Sequence, residues 1–472
     1  MSLEPVPESA EHPVAEPPVG ERPVAERPIV ERMGVGEQLA RRAYSAAWSL
    51  CWPVLAARRR YMRDPAMRRE RAGRLSPPAS YLAGRPRLWV HGASVGEINA
   101  LPPILAEIET ALPRVGVVLS AFTDTGLDAA RRWFGHERTF ALPADLGGPL
   151  RQAFGTLEPD ALILAETELW PGLLGEARAQ RVPVVVVNGR LSSASVPRYR
   201  ALAPLFGPVL RSLAGVAAQS GADAERFAAI GVPAEAITVA GSSKFDAQPW
   251  GDPPPPPAPL AGRPVVVAGS TRPGDEALVL AALDRLGAEP RASHPFLIIA
   301  PRHLHRVPEV ERLVARHRRR GVRRSGIAAP LATAAATATA EGFDVLVMDT
   351  LGELPQAYEL GWVAVVGGGF TGRAGHSLLE PAVRGRAVVF GGGHRSLAGE
   401  DELLLAVGGG VRLARDAGSD APRALAAALG RFLADPVVAA RAGEYARAAM
   451  AAARGASRRA VAFTVERLGL DL

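Results

Sequence analysis

Two residue types that proteins of this length normally use freely are almost missing from the sequence. Its 472 residues include one cysteine, Cys51, and one lysine, Lys244, against 55 lysines and arginines together. A single cysteine excludes an intramolecular disulfide framework and a cysteine-rich zinc site, and fits a reducing compartment. Aromatic residues are only 6% of the chain, and nine histidines are scattered without metal-ligand spacing. No D-x-D-like pair follows a strand to hold Mg²⁺ on a nucleotide diphosphate. No apolar run reaches the roughly 20 residues that a bilayer-spanning helix needs. The formal net charge of +7 is the balance of 55 basic and 48 acidic residues, and all the basic ones but Lys244 are arginine, a skew of the kind codon bias produces. It is therefore a poor argument for nucleic acid. The densest run, RHRRRGVRR (316–324), has none of the interleaved aromatics on which bases stack.

What is present calls for two or three domains, at roughly 100–200 residues each. Residues 1–33 carry seven Glu, three Arg and frequent Pro in a loose repeat, which precludes a core and reads as a disordered tail. The tail also lacks the basic start and apolar run of a signal peptide. Residues 34–75 combine an apolar stretch, AYSAAWSLCWPVLAA (43–57), with RRRYMRDPAMRRERAGR (58–74), which holds eight Arg. A Trp-bearing apolar helix beside an Arg cluster suits an interfacial anchor on an anionic leaflet, or else a helix packed on the protein's own surface. Short, continuous apolar runs then alternate with helical stretches, as buried parallel strands do. The first set spans 76–247: RLWVHG, VGVVLSA, ALILA, PVVVVN, GVAAQ and ITVAG. A Pro-rich linker is expected at 248–263. The second set spans 264–440: PVVVAG, FLIIAP, VLVMD, VAVVGG and AVVFG. LATAAATATAEG (331–342) reads as a loose surface excursion, and 441–472 as a C-terminal helix that returns to the first domain. The expectation is α/β, with two Rossmann-like domains and ligands at the carboxyl ends of their strands.

Polar residues gather at those strand ends. In VHGASVGE (90–97), Ser94 and Glu97 have capping-box spacing, and Glu97 also stands where a carboxylate can accept a substrate proton; both readings are open. ALILAETELWPG (161–172) runs a strand into Glu166 and Glu168, either favouring a helix dipole or forming an acidic site. NGRLS offers Asn188 and Arg190 as donors. AGSSKFD holds Lys244, and a lone lysine in an arginine-rich chain suggests that a compact ammonium is wanted there. In the second half, APRHLHR places Arg302, His303, His305 and Arg306 after a strand as a cationic cluster for phosphate or carboxylate, and DTLGELP ends another strand in a turn. Gly367, Gly369 and Gly372 match a dinucleotide fingerprint formally. The acidic residue due roughly 20 positions later is missing, and anion binding on the amides near His376–Glu380 is the better reading.

Together HGASVGE, LPADL, AETELWPG, NGRLSSAS, GSSKFD, AGSTRPGDE, APRHLHR, DTLGELPQAY, VVGGGF and GHSLLEP, from about residue 43 to 395, resemble the 3-deoxy-D-manno-octulosonic acid (Kdo) transferases of lipopolysaccharide synthesis. The resemblance implies the GT-B architecture, two Rossmann-like domains facing across a cleft with an N-terminal membrane-anchor helix. It further implies inverting, metal-independent transfer of Kdo from CMP-Kdo to a lipid A precursor, without a cofactor. The location would be the cytoplasmic face of the inner membrane, on its anionic leaflet, with no nucleic-acid partner. It puts the general base on Glu97 and assisting groups on Glu166 and Lys244. Its CMP contacts fall on Pro301, Arg302, the turn Leu351-Gly352-Glu353, and Ser377, Leu378, Leu379 and Glu380. The sequence departs from the family where AGHS replaces GGHN, GSSKFD replaces GNLKFD and GGGF replaces GGSF. A GT-B enzyme using a UDP- or GDP-sugar is the alternative.

Overall fold

A computed structural model describes residues 39–40, 42–50, 64–248, 250–251, 258–287, 294–371, 375–394, 399–414 and 418–470. The tail of 1–33, residues 51–63 of the apolar and basic stretches, and the proline run of the linker lie outside the described residues. Two seven-stranded sheets are present, and every registered strand pair in them is parallel.

The first sheet has the order β3-β2-β1-β4-β5-β6-β7. Its strands are β1 (Arg87–His91), β2 (Gly116–Ala121), β3 (Thr139–Ala141), β4 (Ala161–Ala165), β5 (Val184–Gly189), β6 (Gly215–Ala218) and β7 (Ile237–Val239). The second has the order β10-β11-β9-β8-β12-β13-β14. Its strands are β8 (Val265–Thr271), β9 (Phe296–Pro301), β10 (Gly321–Arg323), β11 (Val345–Val347), β12 (Val363–Val366), β13 (Ala387–Gly391) and β14 (Gly410–Leu413). Strand order reverses between β1 and β4 in one sheet and between β8 and β12 in the other. The loops diverge at such points and leave a crevice at the carboxyl edge.

The central strands are continuous apolar runs because helices cover both faces. Trp89, fully buried in β1, packs against Phe154 and Phe140 on one face, while Leu88 and Val90 join Ile104 and Ile108 on the other. LATAAATATAEG is not a loose excursion. It forms the helix Leu331–Ala340 and buries Leu331, Ala334, Ala335, Ala338 and Thr339. Alanine has the highest helix propensity, and methyl groups at i, i+3 and i+4 let the helix lie close on the sheet.

The last two helices divide between the domains. Pro436–Ala452 packs on β13, and Ala456–Leu468 crosses to pack on β5, β6 and the helix Pro102–Ala111. Asp246, just beyond Lys244, fixes this crossing by accepting the Gly455 and Ser457 amides at 2.6 and 2.7 Å. Near the N-terminus, 42–50 is helical, with Tyr44 and Trp48 turned inward and Leu50 78% exposed. No helix among the described residues is long and apolar enough to cross a membrane.

Candidate functional site

Carboxylates dominate the carboxyl edge of the first sheet. Ser94 ends the turn after β1 and caps the short helix Val95–Ile98. Glu97 accepts the Ala93 and Ser94 amides at 2.5 and 3.2 Å and the Ser94 hydroxyl at 2.9 Å, so it does close the capping box. The same carboxyl is pushed up to about 6, first by burial and then by the negative charge of Glu168. The two readings of this residue are therefore compatible. The cap fixes the carboxylate in place, and its surroundings bring it near the pH at which a base works well.

Glu166 ends β4 with a left-handed backbone, φ 54°. A non-glycine residue is held there only when neighbours over-determine it. Here the neighbours are Lys244, whose Nζ donates to Oε1 at 2.8 Å, and Asn188, whose Nδ2 donates at 3.4 Å. Asn188, buried and itself left-handed at φ 52°, also accepts the Ser243 amide at 3.1 Å. It thereby ties the GSSKFD turn to the strand end. The one lysine of the chain is thus paired with one of three neighbouring glutamates, and the structure brings Glu97, Glu166 and Lys244 together.

Glu168, two residues on, accepts the Trp170 indole N–H at 2.7 Å and lies 3.7 Å from His91 Nε2. His91 is fully buried at the end of β1, its Nδ1 bonded to Ser120 Oγ at 2.9 Å. Behind this turn, buried Asp145 accepts the Gly172 and Leu173 amides at 3.0 and 2.7 Å. A Cβ at Gly172 would sit 2.5 Å from Asp145 Oδ1, which explains the glycine that closes ETELWPG.

Cations and glycines occupy the equivalent edge of the second sheet. Arg302 follows β9, is exposed, and has no carboxylate ion pair among the described residues. His303 and His305 beside it are stacked, with ring centroids 5.5 Å apart. After β8, Arg272 donates from Nε to His376 Nε2 at 3.1 Å. His376 is driven down to about 4 by burial and then by the positive charge of Arg272, Arg302, His303 and His394. It is neutral near pH 7, and an accepting Nε2 leaves its Nδ1–H to donate. Glu380 is half-buried and pushed up by burial, against the pull of Arg384 and Arg302.

The turn glycines pack loop against loop. Fully buried Asp275 accepts the Arg272 and Gly368 amides at 2.8 and 2.7 Å, and a Cβ on Gly391 would meet the Gly369 carbonyl carbon at 2.2 Å. Gly367 and Gly369 therefore serve this close packing, and Gly372, the third glycine of the dinucleotide-like spacing, lies outside the described residues.

Pro301 is buried at the end of β9, and Ser377 Oγ accepts the Leu379 amide at 3.3 Å, with Leu378 and Leu379 in the core. Leu351 is 82% exposed and Gly352 left-handed in the turn after β11. Glu353 is held by Arg324 of the turn after β10 at 2.9 and 3.1 Å and by Thr350 of its own loop, so its side chain ties the two loops together. Sequence reasoning missed Asp145, His91 and Arg272 as parts of these clusters. Only their membership in LPADL, VHGASVGE and AGSTRPGDE marked them.

The run at 316–324 is largely an ion-paired edge. Arg319 and His317 meet Asp284, Arg323 meets Glu311 at 2.7 Å through both Nε and Nη2, and Arg324 meets Glu353. β10 lies within it, and such charge on an edge strand discourages sheet-to-sheet pairing.

Comparison with known proteins gives the family. The family described as 3-deoxy-D-manno-octulosonic-acid transferase (kdotransferase) matches residues 66–247. A 3-deoxy-D-manno-octulosonic acid transferase of Bordetella pertussis is 33% identical over 390 residues, 79% of this chain and 85% of that protein. The bifunctional glycosyltransferase/methyltransferase of Fusobacterium nucleatum is 31% identical over 327 residues, 67% of this chain; the chain spans about half, 49%, of its length. Among solved structures, a glycosyltransferase from Rickettsia africae aligns at TM-score 0.51 with 9% identity, over 81% of this chain and 97% of that one. UDP-GlcNAc 2-epimerase from Neisseria meningitidis aligns at 0.50 with 12% identity, over 81% and 99%. These two likenesses give the fold alone, two parallel-sheet α/β domains of the GT-B kind. Similarity to the Bordetella enzyme over most of both chains shows the rest: the chain belongs to the 3-deoxy-D-manno-octulosonic acid transferases and is a glycosyltransferase.

Proposed function

We propose that the chain transfers Kdo from CMP-Kdo to a lipid A precursor, with inversion and without a metal, in lipopolysaccharide synthesis at the cytoplasmic face of the inner membrane. The observation that carries this reading is the opposition of charge between the two carboxyl edges. A carboxyl at about 6 stands on one, and an exposed arginine with no carboxylate partner among the described residues on the other.

In this reading Glu97 takes the proton of the acceptor hydroxyl as its oxygen attacks the anomeric carbon. The bond from that carbon to the CMP phosphate oxygen breaks, and its electron pair leaves with the phosphate. Arg302, the His376 Nδ1–H and the amides at Ser377–Leu379 meet the growing charge with fixed donors. Lys244, held by Glu166, adds the first domain's ammonium to the anionic donor. Glu380 suits the ribose hydroxyls, and Pro301 with the turn Leu351-Gly352-Glu353 borders the nucleotide. A CMP donor carries one phosphate, a charge that arginine and backbone amides can neutralise.

Membrane association is part of the same proposal. The helix 42–50 leaves Leu50, Ala43, Ala46 and Ala47 exposed, and Leu39 beside it is 59% exposed. Basic residues follow, which suits docking on an anionic leaflet.

The test is transfer from CMP-Kdo, generated in situ, to a purified lipid A precursor in detergent with EDTA. Product in chelator, together with thermal stabilisation by CMP above UDP or GDP, is the expected result. Stabilisation by UDP or GDP instead of CMP would replace the donor in this reading.

A further inference from the structure

The helix 42–50 has an inner side as well as an outer one, and the inner side is built into the acidic edge of the first domain. Tyr44 donates its hydroxyl to Asp145 Oδ2 at 2.5 Å across 101 positions of sequence. Burial and then Asp145 push the Tyr44 hydroxyl up, so it remains a donor. One turn along the helix, the Trp48 ring lies 6.2 Å from Trp170. Trp170 packs on its other partner, Phe122, at 4.7 Å, and the Arg71 guanidinium lies 5.0 Å from the Phe122 ring centre. Arg71 is buried and donates to the Leu142 carbonyl at 2.7 Å and to the Phe122 carbonyl, so this stack rests on fixed backbone.

Trp170 is also the residue whose indole N–H holds Glu168, and Asp145 holds the Gly172 and Leu173 amides in the first turn of the helix Pro171–Ala179. One inward contact of the N-terminal helix therefore meets the turn that carries Glu168 directly, at Trp170, and the other reaches it through Asp145 and the amides just after it. We infer that Tyr44 and Trp48 are positioning residues that hold this turn so that the Glu168 carboxylate stays beside Glu97. The inference rests on the reading of Glu97 as the base for the acceptor hydroxyl.

Without the Trp48 ring, Trp170 loses one of its two aromatic partners among the described residues. Without the Tyr44 hydroxyl, a buried carboxylate keeps only its two amide donors, which is a costly state for the loop that carries it. Either change frees Glu168 to turn toward water. The groups that face Glu97 are Glu168 and Glu166, the latter paired with Lys244; His91 and Tyr199 lie around Glu168. With Glu168 withdrawn and water admitted, both of the leading influences that raise Glu97 weaken together.

The experiment uses the full chain in detergent with CMP-Kdo and solubilised lipid A precursor, comparing wild type, Trp48→Ala, Trp48→Phe, Tyr44→Phe and Ser49→Ala. Trp48→Ala and Tyr44→Phe should each lower kcat about tenfold and move the acid limb of kcat/KM down by about half a pH unit. Amide exchange at Gly172 and Leu173 should quicken about tenfold in both. CMP stabilisation should be unchanged, Trp48→Phe should restore rate and limb, and Ser49→Ala, at an exposed hydroxyl that bonds only the Ser45 carbonyl of its own helix, should alter none of these. Unchanged exchange at Gly172 and Leu173, or a rate loss with an unmoved acid limb, would overturn the inference. If wild type itself transfers nothing, the proposed function fails, while the exchange result still decides whether Tyr44 and Trp48 hold the turn.

Discussion

The two domains place opposite chemistry on closely similar frames. Both sheets are parallel and turn back at their first strand, and both put their polar residues at the carboxyl edge. One edge carries Glu97, Glu166 and Glu168 with a single lysine. The other carries Arg272, Arg302, His303, His305 and His376 over packed glycine turns. The frame sets where a group can stand and the loop residue sets what it does, which is why a likeness of fold alone says little about chemistry. In the proposed reading, proton removal belongs to the first domain, and charge neutralisation belongs mainly to the second, with Lys244 the first domain's share.

Glu97→Gln is the severest way to break that division. It should lower kcat about 10²–10⁴-fold while CMP still stabilises the protein, because the cationic edge is untouched. In wild type, kcat/KM should climb with pH through about 6 as Glu97 ionises, and the variant should lack that limb. The stability sign runs the other way. A carboxyl raised from 4.5 to about 6 by folding favours the fold at low pH, and that contribution is lost as pH rises through about 6. Glu97→Gln should remove this loss, which thermal melts at pH 5 and pH 7 would detect.

Lys244→Met comes next, with kcat falling about 10²-fold, since it removes the only ammonium of the acidic edge and leaves Glu166 with Asn188 alone. Arginine at this position should not restore the rate, because a wide guanidinium does not fit the place of a compact ammonium. Arg302→Ala should weaken CMP about 10–100-fold, the worth of one charge-assisted contact, in a titration followed by calorimetry. An unchanged CMP affinity would remove Arg302 from the donor side.

Much of this arrangement was legible in the sequence, for physical reasons. Strands covered on both faces must be continuously apolar, so β1, β4, β5, β8, β9 and β13 stand out as runs. Of the four edge strands, β7 shows as ITVAG, but β3, β10 and β14 do not stand out: they have three or four residues without a longer apolar run around them, and β10 reads GVR amid arginines. The alanine-rich segment at 331–340 is low in complexity, which hides a helix that alanine propensity and close methyl packing on the sheet favour. Glu97 and Lys244 were visible through spacing and rarity. Asp145 and His91 were not, because their partners are Tyr44 and Glu168, 101 and 77 positions away, and no local pattern links such pairs.

The smallest functional effect is expected where the domains join, at Asp246. Its carboxylate accepts both amides at the start of the crossing helix Ala456–Leu468, while Phe245 beside it is buried with Leu378, Leu379 and Phe390 of the second domain. Asp246→Ala removes a helix cap and should cost about 0.5–2 kcal/mol of stability, read as a lower midpoint in urea. It alters neither the carboxylates of one edge nor the cations of the other. CMP affinity and the acid limb near pH 6 should therefore stay as in wild type. A shift in either would mean that the chemistry of the two edges is set by how the domains are joined, and not by each edge alone.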